Sequence, residues 1–379
     1  MNIRMKKTNK IKSIYIHIPF CSYLCHYCDF TKLQYFSSLA KDYLINLKKE
    51  LDSYNIKKDD IKTIYVGGGT PTVLEDDLFL SLLEMIKPYT KNVEEYTFEA
   101  NPESLTLTKI KIMKAFGVNR LSIGVESSDD NILKAINRHH TFNDVITAVT
   151  NARKEGITNI NLDLILGLPN VSETMLEKDL NNILSLKPTH ISCYSLSVNP
   201  HTMFYIKNIK PIDDDVARNY YDIVEEKLLK SGYIHYEISN FAKSGYESKH
   251  NYTYWKDEPY YGVGLSAAGY IDNIRYKNTS SITSYNKGHY LFEKEIVTLK
   301  DDIYYFTFLN LRTKRGLIFE EFKAKLGFSF IDNIKIQKMM KEHESRGLIV
   351  INKTGIYPTY EGMMVEDSLA LDYINILIK

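Results

Sequence analysis

The strongest constraint on the fold is a rhythm: short β-branched and aromatic runs alternate with longer stretches of helical period from about residue 13 to residue 195. The strand candidates are Ser13–Ile18, Thr63–Val66, Tyr96–Glu99, Arg120–Gly124, Asn159–Leu164 and His190–Ser195. Between them lie amphipathic stretches at Ala40–Leu51, Leu78–Ile86, Thr106–Phe116, Asn143–Lys154 and Met175–Leu186, each closed by Gly, Pro or a polar turn. Such alternation makes a parallel sheet with helical crossovers. Unbroken β/α units favour a curved α/β sheet, a partial (β/α)6 barrel whose ligand groups gather at the carboxyl ends of the strands.

With 379 residues, 44% of them apolar, the chain is long enough for a large domain and a smaller one. We divide it into a barrel core at 1–212, a Tyr- and Gly-rich extension of undefined topology at 213–300, and a C-terminal α+β domain at 301–379. In that last part Phe319–Lys325 and Asn333–Glu344 read as helices, and Gly347-Leu-Ile-Val-Ile with Gly355-Ile-Tyr as a hairpin, a winged-helix-like order. Lys plus Arg at 48 balances Asp plus Glu at 47, so no general field draws the chain to nucleic acid. The basic start and the apolar Ile14–Phe20 are rejected as a secretory signal because His17 and Pro19 interrupt the run and cysteines follow it. No run is long enough to span a membrane, and four clustered cysteines make no disulfide framework, so a cytoplasmic location is expected.

The cysteines carry the chemistry. Cys21-Ser-Tyr-Leu-Cys25-His-Tyr-Cys28 follows the first strand with C-x3-C-x2-C spacing. Three thiolates on one short loop can hold three corners of an iron–sulfur cubane and leave the fourth iron open. A zinc site completed by His17, His26 or Cys193 is the competing reading, and inert buried thiols are a weaker one beside Ser22, His26 and Asp29. Cys193 alone reads as a small buried apolar residue.

Further polar groups recur at the ends of successive strands. Gly67-Gly68-Gly69-Thr70 ends the second, where missing Cβ atoms allow close approach and backbone N–H donation to a ligand; no Gly-Lys-Ser/Thr follows, which argues against a phosphate loop. Glu99, Glu126 and Asp163 lie at the ends of the third, fourth and fifth. Such acids need a partner once desolvated, and a cationic ligand with hydroxyl groups would supply one. Arg138 offers a fork for a carboxylate.

This spacing, with aromatic Tyr27 before the last cysteine, resembles the radical SAM superfamily. The resemblance implies a [4Fe–4S] cluster on Cys21, Cys25 and Cys28, with S-adenosyl-L-methionine on the open iron. One-electron reduction there yields a 5′-deoxyadenosyl radical. The match over most of the chain is to the branch containing oxygen-independent coproporphyrinogen III oxidase, which implies cofactor contacts at Tyr15, Tyr27, Gly68, Gly69, Thr70, Glu99, Arg138 and Asp163. Position 126 is usually Gln in that branch, so Glu126 is a departure.

Two features point within the branch toward heme chaperones. Phe30 stands where the oxidase carries a fourth cysteine, and His250-Asn251-Tyr-Thr-Tyr254-Trp255 matches a His-Asn-x-x-Tyr-Trp signature. Read from the residues alone, His250 is a packed or capping histidine and Trp255 a core anchor. The resemblance makes His250, Asn251, Tyr254 and Trp255 a heme-binding segment, with His250 an axial ligand. Leu265 and Ala268 replace a Cys and a His of relatives, so ligation cannot depend on them.

The resulting expectation is a chaperone in porphyrin metabolism that carries heme as cargo to respiratory apoproteins, draws on an electron donor, binds no nucleic acid and has room for transient membrane association. The alternative is a decarboxylating oxidase that makes protoporphyrinogen IX. Catalytic turnover separates the two.

Overall fold

The computed structural model describes residues 10–379. Six strands follow the predicted rhythm: β1 (Ser13–Ile18), β2 (Thr63–Gly68), β3 (Glu95–Ala100), β4 (Arg120–Glu126), β5 (Asn159–Leu166) and β6 (His190–Ser195). They pair in parallel in that order. Helices α1 (Ser37–Ser53), α2 (Asp76–Ile86), α3 (Leu107–Ala115), α4 (Asp130–Ala135), α5 (Phe142–Lys154) and α6 (Glu173–Ser185) connect them. Helices α7 (Met203–Ile206) and α8 (Asp214–Lys230) follow β6.

Local chemistry starts these helices where the periodicity does. Thr141 and Asp144 form a reciprocal capping box at α5, and the hydroxyls of Thr106 and Ser172 cap α3 and α6. Strand alternation divides β1: Ile14, Ile16 and Ile18 are at most 1% exposed and join α1's Leu44, Leu47 and Leu51 in the main core. Each such burial contributes roughly 1.5–3 kcal/mol before entropy is charged against it. Tyr15 and His17, on the alternate face, remain for the barrel interior.

The 213–300 stretch extends this sheet at both edges. β7 (Ile234–Glu237) and β8 (Asn240–Ala242) add an antiparallel tail beside β6, whereas β9 (Tyr261–Val263) pairs in parallel with β1. The order is therefore β9-β1-β2-β3-β4-β5-β6-β8-β7. A separate antiparallel sheet follows, made of β10 (Ala268–Ile271), β11 (Ile274–Asn278) and β12 (Leu291–Ile296), with α10 (Ile282–Asn286) between the last two.

The C-terminal part closes its own core around Phe306, Phe322, Phe330, Met340 and Tyr373. Its predicted pieces are α12 (Phe319–Leu326), α13 (Ile334–Ser345), β14 (Ile349–Ile351) and β15 (Gly355–Pro358), joined by the short strand β13 (Leu317–Ile318). Helices α11 (Leu299–Leu311) and α15 (Glu366–Ile378), which pack together, were not anticipated; α14 (Tyr360–Met364) lies between β15 and α15. Among the described residues no helix is long and apolar enough to cross a membrane.

Candidate cluster and cofactor site

At the carboxyl ends of the strands lies a cavity of about 390 Å³. Cys21, Cys25 and Cys28 line one wall; Glu99, Glu126 and Asp163 line another, with Arg138 between. Gly68, Gly69, Thr70 and Tyr27 complete the predicted set. Tyr15 is not among the lining residues: its hydroxyl is 2.9 Å from His17 Nδ1, farther down β1.

The cysteine loop is held by its surroundings. Thr70 Oγ1 donates to Cys21 Sγ at 3.6 Å, and Arg138 Nη1 lies 3.9 Å from Cys25 Sγ. Lys32 donates to the Cys28 carbonyl and pulls the Cys28 thiol down against burial, which raises it. Cys21 is pushed up to about 11 by burial, with Thr70 opposing. Thiols that desolvation would keep protonated thus sit beside two cations, the setting in which metal binding displaces protons. Among the described residues no three His, Cys, Asp or Glu side chains are gathered to hold a single metal ion. A cubane, whose irons occupy separate corners, does not need its thiolates to converge on one point.

The acidic wall is unevenly compensated. Glu99 accepts from Tyr65 Oη at 2.7 Å and from the Gly68 N–H at 2.8 Å, and Asp163 accepts from Asn161 Nδ2 at 2.7 Å; among the described residues neither has a cationic partner in contact. Burial pushes the Glu99 carboxyl up to about 7 and raises Asp163. Two desolvated carboxyls that face the cavity, with no cation in contact among the described residues, suit a positively charged ligand with hydroxyls. The cavity therefore fits both a cluster on its thiol wall and S-adenosylmethionine across it.

Two expectations about individual groups need correction. The glycine segment does not present its N–H groups to the cavity: Gly68 donates to Glu99, Gly69 to the Ile18 carbonyl at 2.9 Å and Thr70 to the Phe20 carbonyl at 2.7 Å. The glycines instead permit close packing, since a Cβ at Gly68, where φ is +108°, would lie 2.3 Å from the His17 ring, and one at Gly69 2.7 Å from the Phe20 carbonyl oxygen. Arg138 also holds no free fork. Nη2 donates to the Gly124 carbonyl and to Glu126 Oε1 at 2.9 Å, Nη1 donates to Asn101 Oδ1 at 2.9 Å, and only Nε lacks a partner. Glu126 reaches this pairing from a left-handed backbone, φ +66°, at a register shift between β4 and β5.

Sequence reasoning missed Lys32, Tyr65 and Asn101. Asn101 was visible in Glu99-Ala-Asn-Pro as a polar residue at a strand end; the other two carry no local signal.

The predicted heme segment lies elsewhere. Helix α9 (Lys249–Trp255) crosses the amino ends of β1 to β3, opposite the cysteine loop: Thr253 Oγ1 is 2.8 Å from Ser13 Oγ, and Glu95 accepts from the backbone N–H groups of Lys249 and His250, each at 2.9 Å. His250 is 0% exposed. Its Nδ1 is 2.8 Å from Thr63 Oγ1 and its Nε2 2.8 Å from Tyr254 Oη, so neither ring nitrogen is available to iron in this structure. Burial pushes this imidazole down to about 3. His250 is a packed core residue in this conformation, and reaching iron would require α9 to open. Asn251, Tyr254 and Trp255 are half-buried, and Trp255 lies beneath the Arg312 guanidinium.

Known proteins agree with this architecture. Residues 15–183 match the family model of the Radical SAM superfamily. The chain is 40% identical over 370 residues to the heme chaperone HemW of Bacillus subtilis, covering 94% of this chain and 97% of that protein. It is 39% identical to the heme chaperone HemW of Lactococcus lactis, covering 85% and 86% respectively. The structure superposes on coproporphyrinogen III oxidase (HemN) of Escherichia coli, a radical SAM enzyme, with a TM-score of 0.83 over 96% of this chain and 90% of that one, at 22% identity. The superposition establishes a shared fold, and the near full-length identity decides the branch: the chain belongs to the HemW family of the radical SAM superfamily.

Proposed function

We propose that this protein is a heme chaperone that binds heme and delivers it to respiratory apoproteins in the cytoplasm or at the membrane face, with a [4Fe–4S] cluster and S-adenosylmethionine bound in the barrel. The observation that carries the reading is the 40% identity to a heme chaperone across nearly the whole of both chains. Cys21, Cys25 and Cys28 hold the cluster; Glu99 and Asp163 face the cationic and hydroxyl groups of the cofactor; Glu126 and Arg138 fix the wall between them. When bound, cluster and cofactor supply one-electron chemistry at the sulfonium, fed by an external electron donor.

Phe30 supports delivery over decarboxylation. It lines the cavity, 65% exposed, at the place where the oxidase branch has a fourth cysteine. The test is anaerobic reconstitution with iron and sulfide, followed by two assays on one sample. Saturable heme binding and transfer to an apocytochrome, with no decarboxylated product from coproporphyrinogen III, is expected. Multiple turnovers of coproporphyrinogen III would overturn the reading.

A further inference from the structure

One buried charge takes no part in the contacts of the cofactor chamber. Arg120 opens β4 and is 2% exposed. Its Nε lacks a hydrogen-bond partner, and among the described residues its guanidinium makes no ion pair or hydrogen bond. An arginine is seldom enclosed without a partner, because a desolvated, unpaired charge is costly.

Strand alternation puts Arg120 on the same face of β4 as Ser122 and Gly124, which line the chamber. Arg120 pairs in register with Thr97 of β3, Ser122 with Glu99, and Gly124 with Asp163 of β5. The arginine therefore stands one row, about 7 Å along the strand, below Glu99 and two rows below Asp163. The polar groups around it satisfy one another. Asn161 Nδ2 donates to Ser122 Oγ and to Asp163 Oδ1, each at 2.7 Å. His190 Nδ1 lies 2.6 Å from Asn161 Oδ1, and its Nε2 2.8 Å from Tyr236 Oη. Thr97 Oγ1, beside Arg120 in register, is unpartnered as well.

The charge acts on the acidic wall from a distance. Burial pushes Glu99 and Asp163 up, and Arg120 draws both back toward ionisation. A sulfonium ligand needs these groups as carboxylates. The other lumen groups near Arg120 keep one charge state around neutral pH: burial holds His190 and His250 neutral and keeps the protons on Tyr65, Tyr194 and Tyr236. Glu95, lower on β3, accepts from the α9 backbone. Glu126 and Glu237, also raised by burial, face Arg138 and Arg312 instead.

We infer that Arg120 is a positioning residue for cofactor binding: from the row beneath, its unpaired guanidinium holds Glu99 and Asp163 as carboxylates for the cationic end of S-adenosylmethionine. The inference rests on the cofactor reading of the chamber and adds the charge below it. A salt bridge would tie the guanidinium to one acid. Left unpaired, it acts on both, and the cost of enclosing it is offset only when they are ionised.

The test measures S-adenosylmethionine binding by anaerobically reconstituted full-length protein from pH 6 to pH 9, with urea unfolding of the cofactor-free form, for the wild type, Arg120→Met and Arg120→Lys. The ligand's own ionisation is common to all three. Arg120→Met removes an uncompensated charge and should be at least as stable as the wild type at pH 6, where Glu99 is protonated. It should nevertheless bind S-adenosylmethionine roughly tenfold more weakly at pH 7, with the midpoint of the pH profile moved upward and the affinities converging at pH 9. Arg120→Lys keeps the charge and should restore the wild-type midpoint. Arg120→Gln, neutral and polar, takes the place of Arg120→Met if that variant does not fold. An unshifted midpoint in the neutral variant would overturn the inference while leaving the cofactor reading intact. Absence of S-adenosylmethionine binding by the wild type would overturn that reading, and this inference with it.

Discussion

Glu126 Oε1 accepts a hydrogen bond from Arg138 Nη2 at 2.9 Å, and the two side chains are at most 10% exposed. A carboxylate therefore faces the guanidinium that also touches Cys25, at a position where the wider branch carries Gln. Removing one member of a buried ion pair leaves the other uncompensated, at about 3–5 kcal/mol. Glu126→Ala should lose roughly that much stability in urea unfolding at pH 8. Glu126→Gln keeps an acceptor oxygen for Arg138 and should lose about 1–2 kcal/mol. Equal stability of the two variants would mean that the acceptor oxygen offered to Arg138 is dispensable there, and wild-type stability in both would mean the same of the carboxylate charge.

Glu99 makes folding and cofactor binding pH-dependent. Its carboxyl moves from 4.5 to about 7 because burial outweighs the Tyr65 and Gly68 hydrogen bonds. The folded state thus holds a proton that the unfolded chain has released, so this stability is complete below pH 4.5 and is lost as pH rises through 7. In cofactor-free protein Glu99→Gln should remove a decline of up to about 1.4 kcal/mol per pH unit in that window. Glu126 and Glu237, also pushed up to about 7 by burial, leave a residual slope. An unchanged slope in urea titrations at pH 5, 6, 7 and 8 would show that Glu99 does not titrate there.

The three loop cysteines and Cys193 should separate cleanly. Cys193 is buried in β6 and burial holds its thiol protonated, so Cys193→Ala should retain iron and lose about 1 kcal/mol for the missing volume. Cys21→Ala, Cys25→Ala and Cys28→Ala should each lose the reconstituted chromophore while keeping the barrel's circular dichroism, because apart from Cys21, which ends a two-residue bridge beside Leu33–Gln34, the loop lies outside the sheet. Full iron stoichiometry in any loop variant would remove that residue from the ligand set.

The parts legible in the sequence were those whose cause is local. Ser13–Ile18 and His190–Ser195 match the observed strands end to end, because alternation and flanking turns are written within a few residues of each strand. The cysteine loop and Glu99, Glu126 and Asp163 were found because strand ends of one parallel sheet face the same chamber. Contacts that join distant segments were not legible. Tyr261–Val263 adding beside β1, Lys249 and His250 docking on Glu95, and the Gly68 N–H turning to Glu99 all depend on register across the fold. At His250 the residues alone already suggested a packed histidine, but its partners Thr63 and Tyr254 and its place at the amino ends of the strands were not legible.

His250 offers the sharpest division between motif and structure. Its two ring nitrogens bridge Thr63 and Tyr254, and its ring lies 5.3 Å from that of Tyr65, whose hydroxyl holds Glu99 in the cofactor chamber. The residue therefore ties the amino end of the barrel to the wall of the cofactor site. His250→Ala opens a cavity and leaves Thr63 and Tyr254 short of partners, so it should cost about 2–4 kcal/mol in urea unfolding at pH 7.5. The imidazole is neutral when folded and ionises near 6.5 when unfolded, so its contribution is complete above pH 6.5 and is lost as pH falls toward 3, opposite in sign to that of Glu99. Where His250→Ala remains folded, its heme spectrum should match the wild type, while S-adenosylmethionine affinity falls through the loosened Tyr65–Glu99 pair. A changed Soret band with unchanged stability would restore His250 as a ligand and require α9 to open on binding heme.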